Sequence, residues 1–243
     1  MQLLQRFKGW DFATAAAEVD KVIGRVPAEA SKPALDPAKR RDMLNRLWTG
    51  AALVTRDSPV MRYLSSRGLI PPSNIDVLRY AASCPVPGGG EAPALLAKVQ
   101  APDGSPATLH RTFLRADGLG KADMDQPRAV MPGEIPDGSA IRLSTYHHTR
   151  LGIAEGIETA LAAAARFDMP VWAAINATML AKWEPPQDVN EVTIFADNDD
   201  SLTGQAAAFV LGRRLRLRRR IAVRVEIPPA VGTDWADMME AAE

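Results

Sequence analysis

Three groups of acidic residues in the 243-residue chain carry the spacing of a phosphate-chemistry site. They are Glu155 followed by Gly156, the run Asp197-Asn198-Asp199-Asp200 with Gly204 five residues beyond Asp199, and a late Gly232-Thr233-Asp234 followed by Asp237. Carboxylates gathered in one pocket repel one another unless cations sit among them. An oxygen-only donor set without His or Cys suits Mg²⁺ or Mn²⁺, hard ions that bind phosphate oxygens. Such a site serves phosphoryl transfer or phosphodiester cleavage. Each group also has a plainer reading. The Asp run can be a turn in which Asp200 or Ser201 caps the next helix, Glu155-Gly156 a strand-to-helix turn, and Asp234 with Asp237 a capped surface helix.

The elements around these acids give them a common address. From Leu151 onward the pattern predicts strands over 151–155, 170–175, 192–196 and 221–227. Helices are predicted over 157–167, 177–183 and 202–217, with a last helical turn at 235–239. Strands separated by helices imply a parallel sheet with helices on its faces, and ligands of such sheets bind beyond the carboxyl ends of the strands. All three acidic groups follow predicted strands.

Upstream, helical spacing of Phe12, Ala16, Val19 and Ile23 runs to Gly24, and Pro27, Pro33 and Pro37 punctuate a linker. Helices are predicted over 42–55 and 59–67, the second stopped by Gly68. After a break at 83–93, residues 94–114 read as a hairpin around Pro102-Asp103-Gly104, with Leu109, Arg111 and Phe113 alternating. Residues 118–138 are loop-rich, and 140–143 form a further short strand.

Composition narrows the classes. At 47% hydrophobic and 24% charged residues the chain is globular, and no apolar run approaches the ~20 residues of a membrane span. Cys84 is the single cysteine, which excludes an internal disulfide and a cysteine-based zinc site within the chain. No secretory signal opens the sequence, so a cytoplasmic protein is expected. The zero net charge hides an asymmetry: residues 1–150 hold 20 Lys/Arg against 15 Asp/Glu, and residues 151–243 hold 9 against 14. A basic part joined to an acidic one suits a polyanion bridged by metal cations.

Glu155-Gly156 after an apolar strand, Asp197-x-Asp199 with Gly204, and Gly232-x-Asp234 together resemble the TOPRIM domain. The likeness extends to LGIAEGIETALAAA (151–164), HRTFL (110–114), GKA (120–122), MPG (131–133), AIRL (140–143) and YLSSRGL (63–69), which resemble TOPRIM DNA primases of phages, plasmids and mobile elements. It covers about residues 42–240. The resemblance implies an α/β fold with a TOPRIM parallel sheet and flanking helices, preceded by a smaller α+β basic subdomain and N-terminal helices. The implied division is a helical tail and linker (1–41), a helical and basic RNA-polymerase-like subdomain (42–148) and the TOPRIM domain (149–243).

It further implies a nucleotidyltransferase making short RNA primers on single-stranded DNA from NTPs with Mg²⁺ or Mn²⁺. Glu155 matches the glutamate assigned to acid–base or metal work, Asp197 and Asp199 match the metal-binding pair, and Asp234 matches a supporting acid. Glu158 lies one turn after Glu155 and either lines the pocket or faces the surface. Gly156 is expected to make a tight turn, and Gly204 a close approach of helix to sheet. In the basic region His110, Arg111, Arg115, Lys121 and Arg128 are expected to contact phosphates. The zinc module and helicase common in such primases are not in this sequence, so they are expected from separate partners. A TOPRIM nuclease and a non-catalytic DNA-binding accessory protein remain the alternatives.

Gly118-Leu119-Gly120-Lys121 is too short for a phosphate loop. His147-His148 read as a loop pair or a metal site. The run of six arginines between Arg213 and Arg220 reads as DNA-binding or as a solvated helix end. Gly88–Gly90 read as a flexible connector, and Trp172 and Trp183 as core.

Overall fold

The fold was analysed in a computed structural model, which describes residues 8, 9, 11, 14, 36–72, 76–146 and 149–240. The chain divides into two units, Met1–Asp36 and Pro37–Glu243. The helices expected before Gly24, and the His147-His148 pair, lie outside the described residues. Within the first unit the Thr14 amide donates to Asp11 Oδ1 at 2.7 Å.

The second unit opens with helix α1 (Pro37–Gly50), five residues earlier than the expected start at Asp42. Proline at the first helical position explains the difference, since it has no amide to lose there and its φ already suits the helix. Then follow β1 (Ala52–Leu53), α2 (Pro59–Ser65), β2 (Leu78–Pro85), β3 (Glu91–Gln100), β4 (Pro106–Phe113) and β5 (Arg128–Val130). These five strands form one antiparallel sheet in the order β1-β2-β3-β4-β5. The expected hairpin is β3–β4, its register running from Ala94↔Phe113 to Gln100↔Pro106. Strand β2 has no counterpart in the sequence reading, and Gly88–Gly90 are the β2–β3 turn rather than a connector. All three have positive φ, and the Val86 amide donates to the Gly90 carbonyl.

The remaining elements alternate: β6 (Arg150–Ala154), α3 (Ile157–Phe167), β7 (Val171–Ala173), α4 (Ala177–Lys182), β8 (Glu191–Phe195), α5 (Thr203–Arg219), β9 (Ala222–Glu226) and the short α6 (Asp237–Glu240). Four strands pair in parallel in the order β7-β6-β8-β9. The chain leaves β6 toward β7 on one side and returns to β8 on the other, so the order reverses at β6 and opens a crevice at the carboxyl ends of β6 and β8. The expected strand at 140–143 is reduced to two isolated bridges, Gln100↔Ala140 and Ile141↔Ala173, which tie the antiparallel sheet to the parallel one.

Alternation along the strands builds three apolar layers. Leu95, Ala97 and Val99 of β3 face a central core with Leu64 of α2, Ala160 and Ala163 of α3, and Phe195. Ala94 and Leu96 face away, with Cys84 and Phe113. On the far side of the parallel sheet Ile153, Trp172, Trp183 and Ile194 meet Ala208, Leu211 and Leu215 of α5. Trp235 packs edge-on against Phe167 and Phe195, at 5.1 and 6.1 Å between ring centroids, and fixes the late acidic segment onto α3 and β8. No helix among the described residues is long and apolar enough to cross a membrane.

Candidate active site

Glu155 follows β6 directly, and Asp197 stands two residues after β8, so both acids border the crevice. Both are half-buried. Burial pushes the Glu155 carboxyl up, and the Asp199 charge adds to it, while Arg128 and the Ala177 amide pull it down. Asp197 is pushed up to about 7, first by burial and then by the charges of Glu155 and Asp234. The Thr159 hydroxyl, on the first turn of α3, donates weakly to Asp197 Oδ1 at 3.4 Å, and Arg128 also favours the ionised form. The expected acids therefore do share one electrostatic neighbourhood.

Asp199 differs from the other two. Its Oδ1 accepts from the Ser201 hydroxyl at 2.7 Å and the Thr203 amide at 3.0 Å, and its Oδ2 from the Gly204 amide at 2.9 Å. These bonds hold its carboxyl below the usual range. Asp199 is thus the residue that satisfies the orphan amides of α5, a task expected of Asp200 or Ser201. Leu202, between them and the helix, adopts a left-handed backbone with φ 59° and leaves the capping to a residue further back.

Asp234 caps in a similar way: its Oδ1 accepts from the amides of Ala236 at 2.6 Å and Asp237 at 3.1 Å, and Asp237 Oδ2 accepts from the Asp234 amide. Asp237 also pairs with Arg67 at 3.0 Å. Asn198 ties the segment down, donating to the Pro228 carbonyl and accepting from Gln205.

The two glycines part company. A Cβ on Gly204 would lie 2.9 Å from the Asp197 carbonyl oxygen and 3.2 Å from Asp199 Oδ2, so only glycine lets α5 approach the strand end this closely. Gly156 has φ −111°, open to any residue, and a Cβ there would make ordinary contacts, the nearest 3.7 Å from an Arg128 guanidinium nitrogen. Gly156 does sit in the two-residue turn between β6 and α3, but that turn does not require a glycine.

The expected phosphate ligands separate into four kinds. Arg111 is 4% exposed, and its guanidinium donates to the carbonyls of Pro85 and Val130, tying β4 to the sheet around it. His110 is 5% exposed, its Nδ1 has no partner, and burial lowers its pKa to about 4. Both are expected phosphate contacts, and both are buried side chains of β4 instead. From Thr108 to Phe113 β4 is covered on both sides, so the alternation of Arg111 with Leu109 and Phe113 did not mark an exposed side. Arg115 is exposed and paired with Asp117 at 2.7 Å, outside the crevice. Arg128 is exposed and reaches Gly156, and its charge acts on Glu155, Asp197 and His110.

Lys121 belongs to a buried network. Glu158 is 3% exposed, with Oε1 accepting from the Tyr63 hydroxyl at 2.5 Å and 3.1 Å from Lys121 Nζ. Although burial opposes ionisation, Lys121 and Tyr63 hold its carboxyl at about 2. Tyr63 in turn is raised far above the ordinary phenol, by burial first and then by Glu158. This places Glu158 inside, not on the surface, joining α2, the loop after β4 and α3. Tyr63 and Thr159 escaped sequence reasoning, because neither is acidic or basic and their partners lie 95 and 38 residues away.

Among the described residues no three His, Cys, Asp or Glu side chains stand close enough to chelate one ion. Mg²⁺ does not require three, since it commonly takes one or two carboxylates and completes its shell with water and substrate phosphate. Glu155 and Asp197, oxygen donors disfavoured as neighbouring anions, fit that demand.

Two sequence families match the chain. Residues 38–143 match a family described as a domain of unknown function (DUF7146), and residues 150–242 match the Toprim domain. Residues 150–242 are a Toprim domain. No curated protein sequence matches the chain.

Solved structures extend the likeness across both sheets. A DNA primase domain from Pseudomonas aeruginosa is 14% identical with a TM-score of 0.54, over 84% of this chain and 75% of that one. The zinc-binding and RNA polymerase domains of the Aquifex aeolicus primase are 16% identical with a TM-score of 0.52, over 99% of this chain and 66% of that one. The DnaG primase catalytic domain bound to single-stranded DNA is 14% identical with a TM-score of 0.53, over 84% and 79%. The chain therefore has the fold of a primase catalytic core, with Glu155 and Asp197 at the Toprim strand ends.

Proposed function

We propose that this protein is a primase-type nucleotidyltransferase that synthesises short RNA on single-stranded DNA. The observation that supports this most directly is Asp197, whose carboxyl lies in the joint field of Glu155 and Asp234 and is pushed to about 7. Anions held together at a topological switch point are poised for a cation and the phosphates it brings.

In this reading Glu155 and Asp197 hold Mg²⁺ or Mn²⁺, with Asp199 contributing through lone pairs beyond those engaged by α5. The ion supplies charge neutralisation at the α-phosphate and the leaving pyrophosphate. The attacking group is a 3′-hydroxyl: its oxygen bonds the α-phosphorus, the bond to the β-phosphate oxygen breaks, and pyrophosphate departs. In the alternative division of roles Glu155, raised by burial, would take the hydroxyl proton and leave the ion to Asp197 and Asp199. Arg128 provides the cation on the opposite wall, where a guanidinium fork matches phosphate oxygens. Lys121 approaches from the same side, oriented by Glu158, whereas Arg111 and His110 serve the fold. Template, NTPs and a zinc-bearing or helicase partner supplied separately would meet in the cytoplasm of a cell carrying a mobile element.

The test is incubation with single-stranded DNA, NTPs and Mg²⁺ or Mn²⁺. New oligoribonucleotides that vanish in Asp197→Ala are the expected result. Shortened DNA in their place assigns a nuclease, and binding without either product assigns an accessory protein.

A further inference from the structure

Helix α5 is apolar on two faces. Ala207, Ala208, Leu211 and Leu215 are buried against the parallel sheet. On the outer side Phe209, Val210 and Leu217 are 57%, 57% and 65% exposed. A soluble helix ordinarily keeps its outer face polar.

The arginine run divides along the same helix. Arg214 turns inward to Glu184 and the Trp183 carbonyl, and Arg219 donates to the carbonyls of Pro185, Pro186 and Gln187, so these two clamp the loop before β8. Arg213, Arg216 and Arg220 are exposed and make no ion pair among the described residues. At 100° per residue Phe209, Arg213 and Arg216 fall on one stripe, rising about 1.5 Å per residue, or ~10 Å from Phe209 to Arg216, and Arg220 stands at its end as the left-handed cap of the helix, with φ 53°. Arg218 is equally exposed but lies off that stripe.

We infer that this stripe is a contact surface for single-stranded nucleic acid, separate from the crevice at Glu155 and Asp197. Charge complementarity decides the occupant: unpaired guanidiniums in a row match a phosphate backbone, and the exposed ring of Phe209 offers a base a stacking platform. The amino end of α5 abuts Asp197 through Gly204, so the stripe runs away from the catalytic crevice along one rigid element. The inference takes its ligand from the proposed function but requires no catalysis.

Binding of fluorescent dT20 to the whole chain is measured by anisotropy across a salt series without NTPs. Each phosphate contact on a single strand contributes about 0.7 to the slope of log K against log salt, so Arg213→Ala/Arg216→Ala/Arg220→Ala should lower it by about 2. Phe209→Ala should weaken binding several-fold without changing the slope, because stacking carries no charge. Arg218→Ala should leave both within error. All these side chains are exposed, and an unchanged thermal midpoint verifies that each variant is folded.

An unaltered slope in the triple variant overturns the inference, as does an equal drop in Arg218→Ala, which would reduce the effect to bulk charge. If dT20 binding is untouched while Phe209→Ala changes the oligomeric state, the stripe is a protein interface and the inference is also overturned. Primer synthesis is a separate readout: its absence defeats the proposed function and leaves the slope measurement standing.

Discussion

In the antiparallel sheet the polar residues Thr108, His110, Arg111 and Thr112 lie mid-strand in β4 and are buried, whereas in the parallel sheet they come just after β6 and β8, at the crevice. A mid-strand side chain is fixed by the pleat, and once both faces are covered its polar atoms pair inside, as the Arg111 guanidinium does with two carbonyls, or are left without a partner, as His110 Nδ1 is. A residue beyond the strand end escapes the ladder and faces whatever binds there. The same contrast separates Arg111, bound to two carbonyls, from Arg128 at the exposed start of β5, whose charge reaches the acids. Position relative to a strand end, more than residue type, decides which charges remain available for a substrate.

The sharpest test of that contrast is Asp197→Asn. Primer synthesis should fall about 10²–10⁴-fold, the range for a positioned catalytic carboxylate. The metal-free variant should meanwhile melt a few degrees higher, because a neighbouring anion has been neutralised. Loss of activity with loss of stability would mean that Asp197 is structural.

Next in size is Glu158→Ala, which leaves Lys121 without its buried counter-charge and should cost about 3–5 kcal/mol in urea unfolding. Tyr63→Phe removes one hydrogen bond to a charged group and should cost about 1.5–3 kcal/mol. Equal and negligible effects would show that this buried network adds nothing to the joint between the two sheets.

Gly204→Ala should cost about 1–3 kcal/mol, since its Cβ would press on backbone 2.9 Å away, and should also lower activity by displacing Asp197. Gly212→Ala, on the same helix but with its nearest neighbour a Val223 methyl at 3.4 Å, should be far milder. Similar costs at the two sites would remove the special status of the strand end.

In their dependence on pH the two sheets oppose each other in the metal-free protein. His110 falls from 6.5 to about 4 on folding, so the unfolded chain holds more protons between those values and this group makes stability rise with pH. Asp197 rises from 3.8 to about 7, so the folded chain holds more protons and this group makes stability fall across that window. His110→Gln should therefore tilt the stability–pH curve downward with rising pH between 4 and 6.5, and Asp197→Asn should tilt it upward. Urea titrations at several pH values measure both, and tilts of one sign would break the assignment.

Period and punctuation alone determined the alternating half of the chain, the β3–β4 hairpin and the acids at the strand ends, because each depends on near neighbours in the chain. Gly204 was legible for the same reason: a glycine inside a helix start has few uses besides close approach. Tertiary structure decided the rest. Covering β4 on both faces turned His110 and Arg111 into interior residues, and a left-handed Leu202 gave the capping of α5 to Asp199. Tyr63 and Glu158 met across 95 residues, a pairing that no local pattern encodes. Local sequence sets which dihedrals and periodicities are favourable, but which face of a strand meets water depends on what packs against it, and that is a property of the whole fold.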